Sequence, residues 1–109
     1  MALSRVTARG IGTALTAVNA AVPAGKSWTV IGMSLCNTSG AAISIDLLIR
    51  ETGPLDTYVL KTFAIPAGET LFPWGTLGKA VLLSGDIVYV KSSVAASLDV
   101  VMPYYTEAA

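Results

Sequence analysis

The stretch Ile43-Ser44-Ile45-Asp46-Leu47-Leu48-Ile49-Arg50 decides the fold class. Ile43, Ile45, Leu47 and Ile49 alternate with Ser44, Asp46 and Arg50, the period of two that turns one face of a strand inward. Leu98, Val100, Met102 and Tyr104 repeat the pattern near the other end of the chain. From Trp28 to Cys36 both faces read as apolar, with Trp28, Val30 and Cys36 on one and Ile31, Met33 and Leu35 on the other. Such a strand is expected at the centre of a sheet or under a second chain. Further strands are expected near 13–19, 57–65, 69–74, 80–83 and 86–92. No window sustains the apolar spacing and caps of a three-turn helix.

Turn chemistry falls between these runs. Val22-Pro23-Ala24-Gly25 and Ile65-Pro66-Ala67-Gly68 both suit a type I turn, with proline second and glycine fourth. Asn37-Thr38-Ser39-Gly40 is placed to close a hairpin between the two most apolar strands, and Glu51-Thr52-Gly53-Pro54 and Leu83-Ser84-Gly85-Asp86 supply further breaks. Short strands at this spacing predict an all-β antiparallel sandwich, jelly-roll-like, of about seven or eight strands. Residues 13–109 form its single domain. Residues 1–12 carry no strong strand or helix signal and are read as an N-terminal arm that docks on a neighbouring subunit. Val30, Ile45, Leu47, Val88, Val90 and Val100 are the expected core.

Of the 109 residues, 53% are hydrophobic and only 13% charged, about half the usual charged share. That balance excludes a disordered chain. Seven basic residues against seven acidic ones leave no net charge, and the basic residues never cluster, so neither nucleic acid nor a membrane is an expected partner. Spans such as Thr29 to Ile49 are interrupted by Asn37–Gly40 and Asp46, which argues against a membrane helix. The run from Met1 to Ala21 is too weakly apolar to read as a targeting segment.

Histidine is absent, removing the commonest general base and metal ligand together. No catalytic residue, cofactor site or metal site is expected. Asp46 and Asp99 lie within strands on the polar side of the alternation, where a solvated face is the expectation. Cys36, the single cysteine, forms no internal disulfide and reads as a small core residue. The charge deficit instead favours an assembly interface, since such patches are rich in aromatics and poor in charge. The candidate interface residues are Arg5, Arg9, Trp28, Phe72, Trp74, Tyr104 and Tyr105, in a homo-oligomer or among other subunits.

Val22-Pro23-Ala24-Gly25-Lys26-Ser27-Trp28-Thr29-Val30-Ile31-Gly32-Met33-Ser34-Leu35-Cys36-Asn37-Thr38-Ser39 resembles a recurring pattern in small tailed-bacteriophage virion proteins: a Pro-Ala-Gly turn, a hydrophobic strand and an Asn-Thr turn. The strand Ile43 to Ile49, the turn Ile65-Pro66-Ala67-Gly68 and the run Leu83-Ser84-Gly85-Asp86-Ile87-Val88-Tyr89-Val90 extend the likeness over roughly residues 20–102. The resemblance implies a non-catalytic β-sandwich part of a virion, made in the host cytoplasm. A head decoration or cement protein is the first expectation, and a neck, collar or tail component the alternative. Its partners would be copies of itself and virion proteins such as the major capsid, portal, neck or tail proteins. A carbohydrate- or ligand-binding sandwich is a further alternative, for which Trp74 and Tyr105 should stand exposed over a groove.

Overall fold

In a computed structural model, which describes residues 2–53, 55–75 and 78–108, the chain is all-β and holds no helix among those residues. Its ten strands are β1 (Ala2–Ile11), β2 (Thr16–Ala17), β3 (Lys26–Ile31), β4 (Ser34–Asn37), β5 (Ile43–Glu51), β6 (Leu55–Ile65), β7 (Thr70–Leu71), β8 (Lys79–Leu82), β9 (Ile87–Ser92) and β10 (Leu98–Ala108). Every pairing is antiparallel. Met1, Pro54 and Ala109, which belong to the expected arm, turn and domain, lie outside the described residues.

One flank of β10 carries β1, and the other carries β3 and β4 end to end. Strands β8 and β7 lie outside β3 and β4. Six strands thus make four rows of a first sheet, and β2-β9-β5-β6 make the second. The chain changes sheet at most connections, and the first and last strands are neighbours. That is a jelly roll, with eight rows for the seven or eight strands expected from sequence.

All six expected core residues are buried between the sheets, with Leu35, Leu82, Leu98 and Met102 beside them. The strand expected without a break from Trp28 to Cys36 is two strands. Trp28 and Val30 face the core, and so do Met33, Leu35 and Asn37, so the inward positions switch from even to odd. The switch sits at Gly32, whose φ of +57° lies in the left-handed region. Across it the pairing with β10 gains one residue, a glycine bulge. The two apolar faces read from sequence are therefore one inward face whose parity reverses. Cys36 falls on the outward side and is half-buried, not core.

Other expectations are also corrected. Residues 2–11, which carry no strong strand signal in sequence, form a strand within the subunit: β1 pairs along β10 from Ala2↔Thr106 to Ala8↔Val100, bulges at Gly10, and resumes at Ile11↔Leu98. Both Pro-Ala-Gly turns begin at proline, closed by the Lys26 N–H on the Pro23 carbonyl at 3.1 Å and the Glu69 N–H on the Pro66 carbonyl at 3.2 Å. Glycine is therefore third, with positive φ, as a type II turn requires. The Asn37–Gly40 segment closes no hairpin but carries the chain from the first sheet to the second. There the buried Asn37 amide donates to the carbonyls of Ala41, Ile65 and Pro66 at 2.8–3.1 Å. Its Oδ1 accepts from the N–H and hydroxyl of Ser39. One side chain thus ties two corners together.

Leu47 is fully buried in the central strand β5, whereas Leu3 on β1 is 64% exposed. Truncating Leu47 to alanine is expected to cost about 2–5 kcal/mol in urea unfolding. The same change at Leu3 should stay within about 0.5 kcal/mol. Equal costs would show that the two sheets do not pack as described.

Candidate functional site: an open and a sealed sheet face

The two sheets present different surfaces to solvent. On the first, pairing aligns Leu3, Tyr105, Thr29 and Val81 across four rows. Below them Thr7, Val101 and Ser34 align, and further along Asp99, Cys36 and Thr70. Val81 is 61% and Val101 40% exposed. The centre of this face, formed by Thr29, Ile31, Ser34, Cys36, Val101, Pro103 and Tyr105, holds no charge. Its charged residues lie on edge strands or near the ends of β10: Arg5 and Arg9 on β1, Lys79 on β8, and Asp99 and Glu107 on β10. An uncharged centre within a charged rim is the composition of an association surface.

The outer face of the second sheet is closed by its own side chains. Leu48 points away from the core between Tyr58 and Tyr89, its cross-strand partners, and is nevertheless fully buried. The Arg50 guanidinium lies 4.3 Å from the centre of the Tyr89 ring, and the Lys61 ammonium 4.4 Å from that of Tyr58. Arg50 also donates Nε to Asp56 Oδ1 at 2.6 Å and Nη2 to Oδ2 at 3.1 Å. This forked pair holds the Asp56 carboxyl below the usual carboxylate range. On this side Leu48 is covered, with Tyr58 left 46% exposed beside Lys61.

The residues singled out from sequence divide between surface and interior. Arg5 lines a shallow cleft with Leu3, Ser4 and Pro103 at the β1 edge, and Arg9 is exposed further along that strand. Tyr105 stands on the open face, and Phe72 is 40% exposed just past β7. Trp28, however, is buried and stacks on Tyr104 with ring centres 3.8 Å apart, both rings against the core. Those two are spent inside the subunit. Trp74 also packs partly against the core, so it and Tyr105 do not form the aromatic platform expected of a sugar-binding sandwich. Val81 and Val101 are not among the candidates, although the alternation of Leu98, Val100, Met102 and Tyr104 already turns Val101 outward. Asp46, expected in solvent, is 7% exposed. No group of three or more His, Cys, Asp or Glu suited to a metal occurs among the described residues, and no helix there could cross a membrane.

No protein family and no curated protein matches this chain. Among solved structures it is similar to one from Bacillus described as "Bacillus endospore appendages form a novel family of disulfide-linked pili", with a TM-score of 0.62. The match covers 98% of this chain and 87% of that one at 12% identity, so the likeness is one of fold.

Because folding lowers the Asp56 pKa, its pair with Arg50 stabilises the fold above the unfolded-state value and is lost as pH falls through the folded one. A carbon-detected NMR titration should place Asp56 below ordinary aspartates, and Arg50→Gln should return it to their range. An unshifted Asp56 in the unaltered protein would show that the pair does not persist in solution.

Proposed function

We propose that this protein is a non-catalytic structural subunit that works by associating with copies of itself through the open face of the first sheet. The observation that carries the reading is the contrast between the faces: one covers its outward Leu48 with tyrosines and two cations, the other is uncharged at its centre and exposes Val81 and Val101. Four rows about 4.8 Å apart and some seven residues long make a footprint of roughly 450 Å². A standard interface buries about 800 Å² per partner. A single contact of this kind is therefore weak, which suits a protein held in place by many neighbours.

The resemblance to tailed-phage virion proteins supports a finer placement within the same reading. The protein would then be a head decoration or cement protein, or else part of the neck, collar or tail, synthesised in the host cytoplasm and carried in the virion. That placement rests on the sequence pattern alone. The fold likeness to a pilus protein favours a second reading, a subunit of an appendage. The chain could not reproduce disulfide linkage through Cys36 alone, because one thiol per subunit joins copies only in pairs.

Val101→Lys puts a charge at the centre of the open face without touching the core. Sedimentation across a concentration series should show the unaltered protein self-associating and this variant remaining monomeric, with matching circular dichroism. Monomers throughout for both proteins would refute self-association by this face. Fibres formed by the purified chain would favour the appendage reading, and uptake only onto phage particles the virion reading.

A further inference from the structure

Strand β6 is longer than its partner β5, and the surplus is taken up in bulges. The pairing passes from Ile45↔Phe63 to Leu47↔Leu60, leaving Lys61 and Thr62 together opposite Asp46. Thr62 has a φ of +50°, uncommon for a threonine. Asp46 Oδ1 holds it by accepting the Thr62 N–H at 2.7 Å. The bulge leaves an open pocket of about 320 Å³ lined by Thr13, Ser44, Asp46, Thr62, Lys91, Ser92 and Ser93.

The chemistry of that lining selects a ligand class. Among the described residues Asp46 Oδ2 accepts no short hydrogen bond; the Lys91 and Lys61 ammonium groups stand 3.7 and 4.0 Å away. Within the lining the Asp46 carboxylate is matched by the Lys91 ammonium, while Lys61 lies outside the lining over the Tyr58 ring, so the lining itself carries no net charge and favours neither a lone cation nor a lone anion. Ser92 is committed to Ser97 at 2.6 Å. Ser93 Oγ accepts the Ser44 N–H at 2.9 Å but keeps its own proton to donate. The hydroxyls of Thr13, Ser44 and Ser93, with one carboxylate oxygen and one ammonium, supply both donors and acceptors to the pocket. Vicinal hydroxyls match such a set, each donating one hydrogen bond and accepting others. The volume sits at the lower end of ligand sites, enough for one sugar ring.

We propose that the Asp46 pocket binds a neutral polyhydroxylated ligand, a single pyranose ring, with Asp46 Oδ2 accepting from a hydroxyl pair and Lys91 donating to it. The site lies on the second sheet, so it is independent of the association face. It also differs from an aromatic sugar platform, because no aromatic ring lines it.

The test is NMR titration of the full chain with mannose, galactose, N-acetylglucosamine and, as a minimal polyol, glycerol, following the amides of Thr62, Lys91 and Ser93. Saturable shifts at these amides with at least one sugar, and weaker or none with glycerol, are expected. Asp46→Asn should weaken that binding about tenfold or more, the usual effect of losing a hydrogen bond to a charged group. Asp46 also anchors the bulge, so Thr13→Val, which removes only a hydroxyl from the pocket wall, serves as the second variant and should weaken binding several-fold. Val101→Lys should bind as the unaltered protein does, which separates failure here from failure of the association reading. Shifts that never saturate, equal shifts with glycerol, or binding indifferent to both pocket variants would overturn the proposal.

Discussion

Everything in this fold depends on β10 being held on both flanks at once. The last strand lies between the first, β1, and the broken row of β3 and β4. Its even-numbered residues Leu98, Val100 and Met102 fill the core while Val101, Pro103 and Tyr105 are turned outward. The first sheet is therefore incomplete until the C-terminal strand is in place. A register slip of one residue in β10 would exchange the two sets of side chains, burying Tyr105 and exposing Met102. The bulges at Gly10 and Gly32, one on each flank, let both neighbours follow this strand while keeping their own apolar residues inward.

The two sheets solve the same shortage of charge differently. With 13% charged residues, the chain cannot surround itself with ions. The second sheet concentrates Asp46, Arg50, Asp56, Lys61 and Lys91 on or beside its outer surface and lays two cations over the tyrosine rings that flank the buried Leu48. Little remains for the centre of the first sheet, and its exposed valines are the consequence. A small subunit with one finished and one unfinished side is suited to being a part of something larger, whichever assembly that is.

Much of the architecture was legible in the residues. The alternation in Ile43–Ile49 and Leu98–Tyr104 marks β5 and β10, and all six residues named for the core are buried, because burial on one face imposes a period of two. The reversal at Gly32 was not legible, since glycine permits a left-handed φ without requiring it. Nor was β1, whose pairing comes from the open edge of β10, with only Val6, Ala8 and Ile11 of its own reaching the core. Aromatic character identified Tyr105 on the open face but also drew in Trp28 and Tyr104, which stack inside. The Asp46 pocket depends on the one surplus residue that β6 places opposite Asp46, and only the strand register reveals it.

Cys36 supplies the most direct test of the central claim, because the single thiol lies half-buried on the face said to associate. Its alkylation rate can be followed by mass spectrometry as protein concentration rises. The account predicts that the rate falls as assemblies form and stays constant in a variant held monomeric. A rate that ignored concentration while the protein visibly assembled would contradict it, and would move the contact to another surface of the molecule.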